Sequence, residues 1–568
     1  MTLSATSCAD NPRSGEPVPS ERGLNDALLH AGAAHDAMDR SAESVVYPST
    51  EQEILSAVAA AVRGNQKIKV STRYGHSITK IACPGTSSGV ILSSKNYTSI
   101  VNIDTESGTV TAQGGIQLRT LVDQISTRGL ALPVAPYWDG VTLAGLLSTG
   151  AHGSSLFGKG GAVHEYVIGM RVVTPASPAE GYATVRVLGS QDPDLNAAKV
   201  SLGVLGVIST VTLQLQPMFK RNLTLRIVKG DVGSEDETLR IAKEVEFGDV
   251  IWYPSLGQVV YRYDYRASLV APGEGINNFI GFQPIPQAVI ASTRVAEEAA
   301  ESARNRQLKC DLAFTLVTAE QAIGYGYKKN GLIFSGFPVI GRQILIQAAG
   351  GCQRSDLPGF YCPWDLRSGG SVFFESSAAL PLRNLKSFLR DIRDLQATVP
   401  LSLCDLDLYT GILIRFVRKT DAYLGSGQED VAMLDFTWSR GNDATTPRLD
   451  MDIFQELEQL VFDKYGAWPH WGKNRNYVFE GAGEEYANLT KFLDTKNRFD
   501  PQGFFSSEWS DTVLGINKTG APGEATYAPF CAMEGLCRCQ TDEHCAPEKN
   551  TFCRPGRIYP AARVCRTE

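Results

Sequence analysis

The stretch Ser71-Thr72-Arg73-Tyr74-Gly75-His76-Ser77 sets a histidine in a tight turn straight after a predicted βαβ unit. Gly75 permits a positive φ there, and successive backbone N–H groups in such a turn can form an anion-binding nest. The chemistry this suggests is the holding of a cofactor phosphate or ring; otherwise His76 is a neutral turn residue contacting backbone. A second run, 141–154, carries Thr142, Gly145, Ser148, Thr149, Gly150, His152 and Gly153. Its small side chains let the main chain approach a ligand closely, and its alternation reads as tight turns with groups that can hydrogen-bond phosphate. A third run ends in Gly206, Val207 and Ile208 and leads into an alternating strand, Thr210 to Leu215. Each run alone is weak, but together they point to a cradle for a large cofactor. Their spacing matches neither G-x-G-x-x-G after a first strand nor G-x-x-x-x-G-K-[ST], which disfavours a Rossmann site and a P-loop.

The elements that must position these runs are legible by period. Val45-Val46-Tyr47 reads as a short strand, and Thr50 with Glu53 as a capping box ahead of the stripe Ile54, Leu55, Val58, Ala59 and Val62. That helix ends near Gly64, and a strand from Lys67 to Ser71 feeds the His76 turn. Beyond Pro217, alternation over Leu223 to Val228, Val250 to Tyr253 and Val259 to Tyr265 predicts an antiparallel sheet. Helical period follows near Val289 to Arg306, Leu382 to Ala397 and Met451 to Tyr465. Gly520-Ala521-Pro522-Gly523 marks a linker. The expected division is an unstructured lead at 1–40, a cofactor domain at 41–218, a cap domain at 219–510, and a linker with a Cys-rich tail at 511–568.

The 568 residues, 43% hydrophobic, suffice for more than one core. A net charge of −7 argues against nucleic acid or an anionic membrane as the main partner. No window of about eighteen uncharged apolar residues predicts a transmembrane segment. Six of the twelve cysteines lie beyond position 530, where little apolar material is available to build a core. They read as a three-bridge knot of open connectivity rather than a zinc site, since no C-x₂-C pair occurs and His544 stands alone nearby. Sequons at Asn96, Asn222, Asn488 and Asn517 point the same way, to the secretory pathway, cell exterior or wall. Residues 1–40 hold no apolar signal-peptide core. Either a leader precedes this sequence, which is the expectation, or the protein stays inside the cell with reduced thiols.

With these runs in place, the sequence from about Glu43 onward resembles the FAD-binding vanillyl-alcohol oxidase superfamily, and within it the aldonolactone oxidoreductases. Trp468-Pro469-His470-Trp471-Gly472-Lys473 and Arg498-Phe499-Asp500-Pro501-Gln502-Gly503-Phe504-Phe505 match the signatures near that family's C-terminus. The Cys-rich tail from Cys531 is shared with plant L-gulono-1,4-lactone oxidase-like proteins. The resemblance implies an α+β fold: a two-subdomain FAD-binding PCMH-type domain, an α+β cap with an antiparallel sheet, and a small disulfide-rich tail. It implies FAD joined covalently through His76, with His152 ordering backbone around the flavin. It also implies Lys473 facing flavin N1 and the C2 oxygen, and Arg415 holding a substrate or flavin oxygen. His470 is a candidate base or a supporting residue. The implied substrate is an aldonolactone, first of all L-gulono-1,4-lactone, oxidised toward ascorbate with O₂ or another electron acceptor. A dehydrogenase of the same architecture and a non-catalytic sugar- or wall-binding protein are the alternatives. This chain departs from the family at Leu413, where glutamate is usual, and Asp405, Asp407 or Asp435 on neighbouring strands are the expected substitutes.

Overall fold

The computed structural model describes residues 6–7, 41–71, 79–82, 84, 89–347, 352, 357–363, 373–441, 446–479, 481–516 and 529–568. The first layer is a small sheet in which Ser41–Val46 and Ile68–Ser71 both run parallel to Gly89–Ser93. Parallel neighbours need a crossover, and Glu51–Arg63 supplies it, burying Ile54, Val58 and Ala61. Thr50 Oγ1 accepts from Glu53 N at 3.1 Å. The Glu53 carboxylate reaches back one residue further than a capping box requires, accepting from Ser49 N at 2.6 Å.

The second layer is a five-stranded antiparallel sheet ordered Ile100–Asp104, Thr109–Gln113, Val207–Gln214, Val167–Pro175 and Ala183–Gly189. Val207–Gln214 is its central strand and starts three residues before the predicted Thr210, because Val207 and Ile208 pair with Val173 and Val172. The run 141–154 does not stay in tight turns. Leu143–Ser148 forms a short helix that buries Leu143, Leu146 and Leu147, and Thr142 caps it by accepting from Gly145 N at 3.3 Å.

The third layer carries the site. Eight strands pair antiparallel in the order Val339–Arg342, Lys220–Lys229, Gln258–Ala267, Asp249–Tyr253, Ile412–Val417, Val431–Ser439, Phe373–Pro381 and Trp468–Pro469. Strand side chains alternate between faces, so register decides what each face shows. Val250, Trp252, Ile412, Ile414, Leu434, Phe436 and Trp438 all fall on one face. They pack under Ser234–Glu244, Leu385–Thr398 and Met451–Gln459 in one apolar core that also takes in the tail cysteines. The opposite face carries Asp249, Arg262, Arg415, Asp435 and Glu375, a line of charges across five strands. No helix of the described residues is long and apolar enough to cross a membrane.

Two features were not legible by period. The helix Arg306–Ala322 buries Lys309 and Cys310 among its contacts, which masks its apolar stripe. Cys310 pairs with Cys404, and Cys352 with Cys362. The tail holds the expected three bridges, and its pairing is Cys531–Cys537, Cys539–Cys553 and Cys545–Cys565. Gly520–Gly523 and Asn517 lie outside the described residues, as does nearly all of 1–40.

Candidate active site

The charged face of the eight-stranded sheet gathers groups from both ends of the chain. Arg415 stands two residues beyond Leu413 on Ile412–Val417, and Asp435 lies directly across the ladder from Leu413. Asp435 pairs with the Arg415 guanidinium through Oδ2 and, through Oδ1, with Lys473 Nζ at 3.0 Å. Glu375, on the next strand, meets the same Nζ at 2.8 Å. Arg415 also donates to the His152 carbonyl at 3.2 Å, tying the sheet to the glycine-rich run of the first domain.

Lys473 and Asp435 hold each other charged. Burial pushes the Lys473 ammonium down, but Asp435 and Glu375 outweigh it and leave it above its ordinary value. Burial likewise raises Asp435, and Arg415 with Lys473 overcome that and hold it far below the usual carboxylate range. A carboxylate between two cations thus leaves one positive charge in surplus before Glu375 is added. Of the three carboxylates expected to replace the family glutamate, only Asp435 is placed to do so. Asp405 and Asp407 sit on the helix Cys404–Tyr409, not on strands. Asp405 accepts from Ser439 N at 2.7 Å and pairs with Lys309, while Asp407 accepts from Ser255 N and Leu256 N at 2.9 and 3.1 Å.

The buried histidines His152 and His470 face each other with ring centroids 5.4 Å apart. Their hydrogen bonds assign opposite tautomers. His470 Nδ1 accepts from Gly472 N at 3.0 Å, so the neutral ring carries its proton on Nε2 and offers no lone pair for a base. His152 Nδ1 lies 2.8 Å from the Gly153 carbonyl and must donate to it, which leaves a buried lone pair on Nε2 with no partner among the described residues. The candidate base therefore moves from His470 to His152, and His470 becomes the residue that shapes the Trp471-Gly472-Lys473 turn. Burial and the neighbouring Lys473 push His470 down to about 3. Burial and Arg415 push His152 well below its ordinary value.

These shifts fix a sign for the pH dependence of stability. Both rings stay neutral in the fold while the unfolded chain takes up protons below about pH 6.5, so stability is lost as pH falls from about 6.5 toward about 3. The expected result is a Tm that declines on acidification from pH ~7 to ~4. In His470→Asn that decline should be shallower, as differential scanning fluorimetry across the range will register; an unchanged slope would count against the assignment.

In the first domain, Ser71 is buried at the end of its strand, whereas Thr72, Arg73, Tyr74, Gly75, His76 and Ser77 lie outside the described residues. Thr142 and Gly145 form the helix cap described above. Thr149 Oγ1 donates to the Gly145 carbonyl at 3.2 Å, Ser148 Oγ accepts from Ser201 Oγ at 3.2 Å, and Gly150 turns with φ 71°. A Cβ on Gly153 would lie 2.8 Å from the Ala135 carbonyl, and one on Gly206, at φ 136°, would collide with that of Val173. These glycines therefore serve backbone packing beside the site. Val207 and Ile208 are core strand residues.

Sequence reasoning missed Glu375, Tyr137, Asp249 and Arg262, all on or against the charged face. The Tyr137 hydroxyl donates to Asp249 and accepts from Arg262 at 2.7 Å, while its ring lies 5.4 Å from the Arg415 guanidinium. Burial, opposed by Arg262, raises the Asp249 carboxyl to about 6. No motif flags these residues, since only the register brings them into line. The set fits a flavin: a fixed ammonium and a guanidinium to donate and an orphaned imidazole nitrogen to accept lie beside the glycine-rich run.

The fold has known counterparts. A solvent-stable cholesterol oxidase superposes over 84% of this chain and 96% of its own with a TM-score of 0.64 at 15% identity. A chitooligosaccharide oxidase covers 87% and 96%, with a TM-score of 0.54 at 14% identity. The FAD binding domain model matches residues 42–177, the D-arabinono-1,4-lactone oxidase model 371–513, and the L-gulonolactone oxidase 2-like C-terminal domain model 528–567. Fold and matched domains thus define an FAD-dependent oxidoreductase of the aldonolactone oxidase type. L-gulonolactone oxidase 5 of Arabidopsis thaliana is 45% identical over 97% of this chain and 93% of its own length. L-gulonolactone oxidase 3 of the same plant is 44% identical over 92% and 89%. The chain belongs to the L-gulonolactone oxidase family. A more distant relative, the L-gulono-1,4-lactone dehydrogenase of Mycobacterium tuberculosis (strain CDC 1551 / Oshkosh), is 23% identical over 83% of this chain and 96% of its own.

Proposed function

We propose that the protein oxidises a carbinol of an aldonolactone, L-gulono-1,4-lactone first, to a 2-keto lactone that enolises to ascorbate. The observation that carries this reading is the Lys473–Asp435–Arg415 constellation against the glycine-rich run of an FAD-binding domain. FAD, when bound, supplies the acceptor for the hydride leaving the carbinol carbon. Lys473 and Arg415 place fixed positive charge where negative charge would develop, with Arg415 buried and Lys473 half-buried behind it. Asp435 and Glu375 orient the ammonium and offer acceptors to lactone hydroxyls, taking over the work of the glutamate absent at Leu413. His152 Nε2 is placed to take the hydroxyl proton. Anaerobic mixing of holoprotein with a panel of lactones, polyols and simple sugars, followed at the flavin absorbance maximum, tests the assignment. Bleaching by L-gulono-1,4-lactone supports it, and no bleaching by any of the panel refutes it.

O₂ is the proposed electron acceptor, with hydrogen peroxide as co-product; parallel peroxide and cytochrome assays separate this from a dehydrogenase. We also propose covalent attachment of the flavin through His76, supported by its position in the sequence shortly after the strand Ile68–Ser71 of the FAD-binding domain. Denatured wild type is expected to stay yellow, and His76→Ala to release its flavin into acid. A wild type whose colour washes out removes the bond. Secretion is the proposed location, supported by the five disulfides among the described residues, a bond type that persists in oxidising compartments.

A further inference from the structure

The Cys-rich tail is packed against the segment that carries Lys473. Gly535, at φ 70° inside the loop closed by Cys531–Cys537, accepts from Tyr477 N at 3.1 Å. A Cβ at Gly535 would stand 2.5 Å from Arg475 Cδ and 2.8 Å from its Nε, so the arginine side chain lies flat on the glycine. Arg475 is fully buried; its guanidinium bonds Glu458, and it lies 5.1 Å from the Phe374 ring and 5.2 Å from that of Trp438. Glu458 also accepts from Tyr477 Oη at 2.8 Å and from Ser376 Oγ. Ser376 sits between the two residues that hold the lysine turn. Glu375 binds Lys473 Nζ, and its carbonyl accepts from Asn474 N at 2.9 Å. Ser377 N donates to Asn474 Oδ1 at 2.9 Å, and the Ser377 carbonyl accepts from His470 N at 3.0 Å.

We propose that the disulfide-closed loop Cys531–Cys537 is a brace for the active-site lysine, with Arg475 as the positioning residue through which it acts. The chain of contact runs from Gly535 to Arg475, to Glu458, to Ser376, and so to both residues flanking Ser376 on the strand that anchors the lysine turn. A buried guanidinium cannot shift without leaving Glu458 uncompensated, so the loop and the turn move together or not at all. The remainder of the tail is fastened separately, by Glu456, which accepts from the backbone N–H groups of Arg557, Ile558 and Tyr559, and by the Asp452–Arg557 pair. The brace rests on the reading that Lys473 faces the flavin, but not on the identity of the lactone.

The test compares holoprotein carrying Gly535→Ala, Arg475→Met, Arg475→Lys or the control Arg557→Ala. Sulfite affinity at the flavin reports positive charge near its N1 and C2 oxygen without any lactone, and hydrogen exchange over 470–477 reports the turn itself. Gly535→Ala and Arg475→Met are expected to weaken sulfite binding at least tenfold and to speed exchange in the turn, with flavin content unchanged. Arg475→Lys should recover part of that loss. Arg557→Ala should lower Tm while leaving both readouts at wild-type values. If Arg475→Met does not fold, Gly535→Ala decides. Sulfite affinity within twofold of wild type in Gly535→Ala, alongside a lowered Tm, would reduce the loop to a stabilising role and overturn the proposal. A wild type that no lactone bleaches would refute the proposed substrate and leave the sulfite and exchange comparison standing.

Discussion

Lys473→Ala is expected to slow lactone-driven flavin reduction by about 10²–10³-fold while leaving FAD content near that of wild type, the range typical of deleting one preorganised electrostatic group. The lysine is held by two carboxylates of the eight-stranded sheet, at 3.0 Å from Asp435 and 2.8 Å from Glu375. Its removal does more than subtract a charge. Asp435 keeps only Arg415 as a counterion, and Glu375 loses its partner, so the cluster of two cations and two carboxylates goes from balanced to net negative where the reduced ring would be stabilised. The loss should therefore appear in the rate of reduction at saturating lactone rather than in flavin retention. Anaerobic stopped-flow on matched holoproteins measures it, and equal rates in the two proteins would remove the lysine from catalysis.

Asp435→Asn is expected to be the second severe change, for a different reason. Asp435 is buried between Arg415 and Lys473, and removing one partner from a buried ionic group typically costs about 3–5 kcal/mol. Asparagine preserves shape but leaves two cations facing a neutral amide, so Tm should fall and lactone KM should rise together. Leu413 offers a way to separate the two effects. It lies directly across from Asp435 on the same face, so Leu413→Glu in the Asp435→Asn background returns a carboxylate to the family's usual position. Partial recovery of KM in the double variant supports a carboxylate moved one strand over. A double variant no better than Asp435→Asn alone would show that position 413 does not see the substrate.

Local patterns were the readable part of this chain. The capped helix Glu51–Arg63 and the strands Asp249–Tyr253 and Gln258–Ala267 follow from capping residues and alternation over short windows. The short helix Leu143–Ser148 did not, because glycine and small residues suggest turns, and only the burial of three leucines on one side makes a helix the lower state. Arg306–Ala322 was hidden by its inward Lys309, whose charge is met by Glu301 and Asp405 from other elements. The exchange of roles between His152 and His470 also lay beyond sequence reasoning, since a tautomer depends on which backbone group each nitrogen meets.

What the residues alone determined was chemistry by type and order: glycine runs, a lysine after His-Trp, an arginine on a strand, and cysteines too dense for a core. Those properties are encoded within windows of a few residues. Tertiary structure decided which charges meet. Asp435 stands between Arg415 and Lys473, and Gly535 rests on Arg475, only because strand register and a docked tail bring together positions far apart in the chain. Pairing of that kind is a property of the sheet and its packing, and no short window contains it.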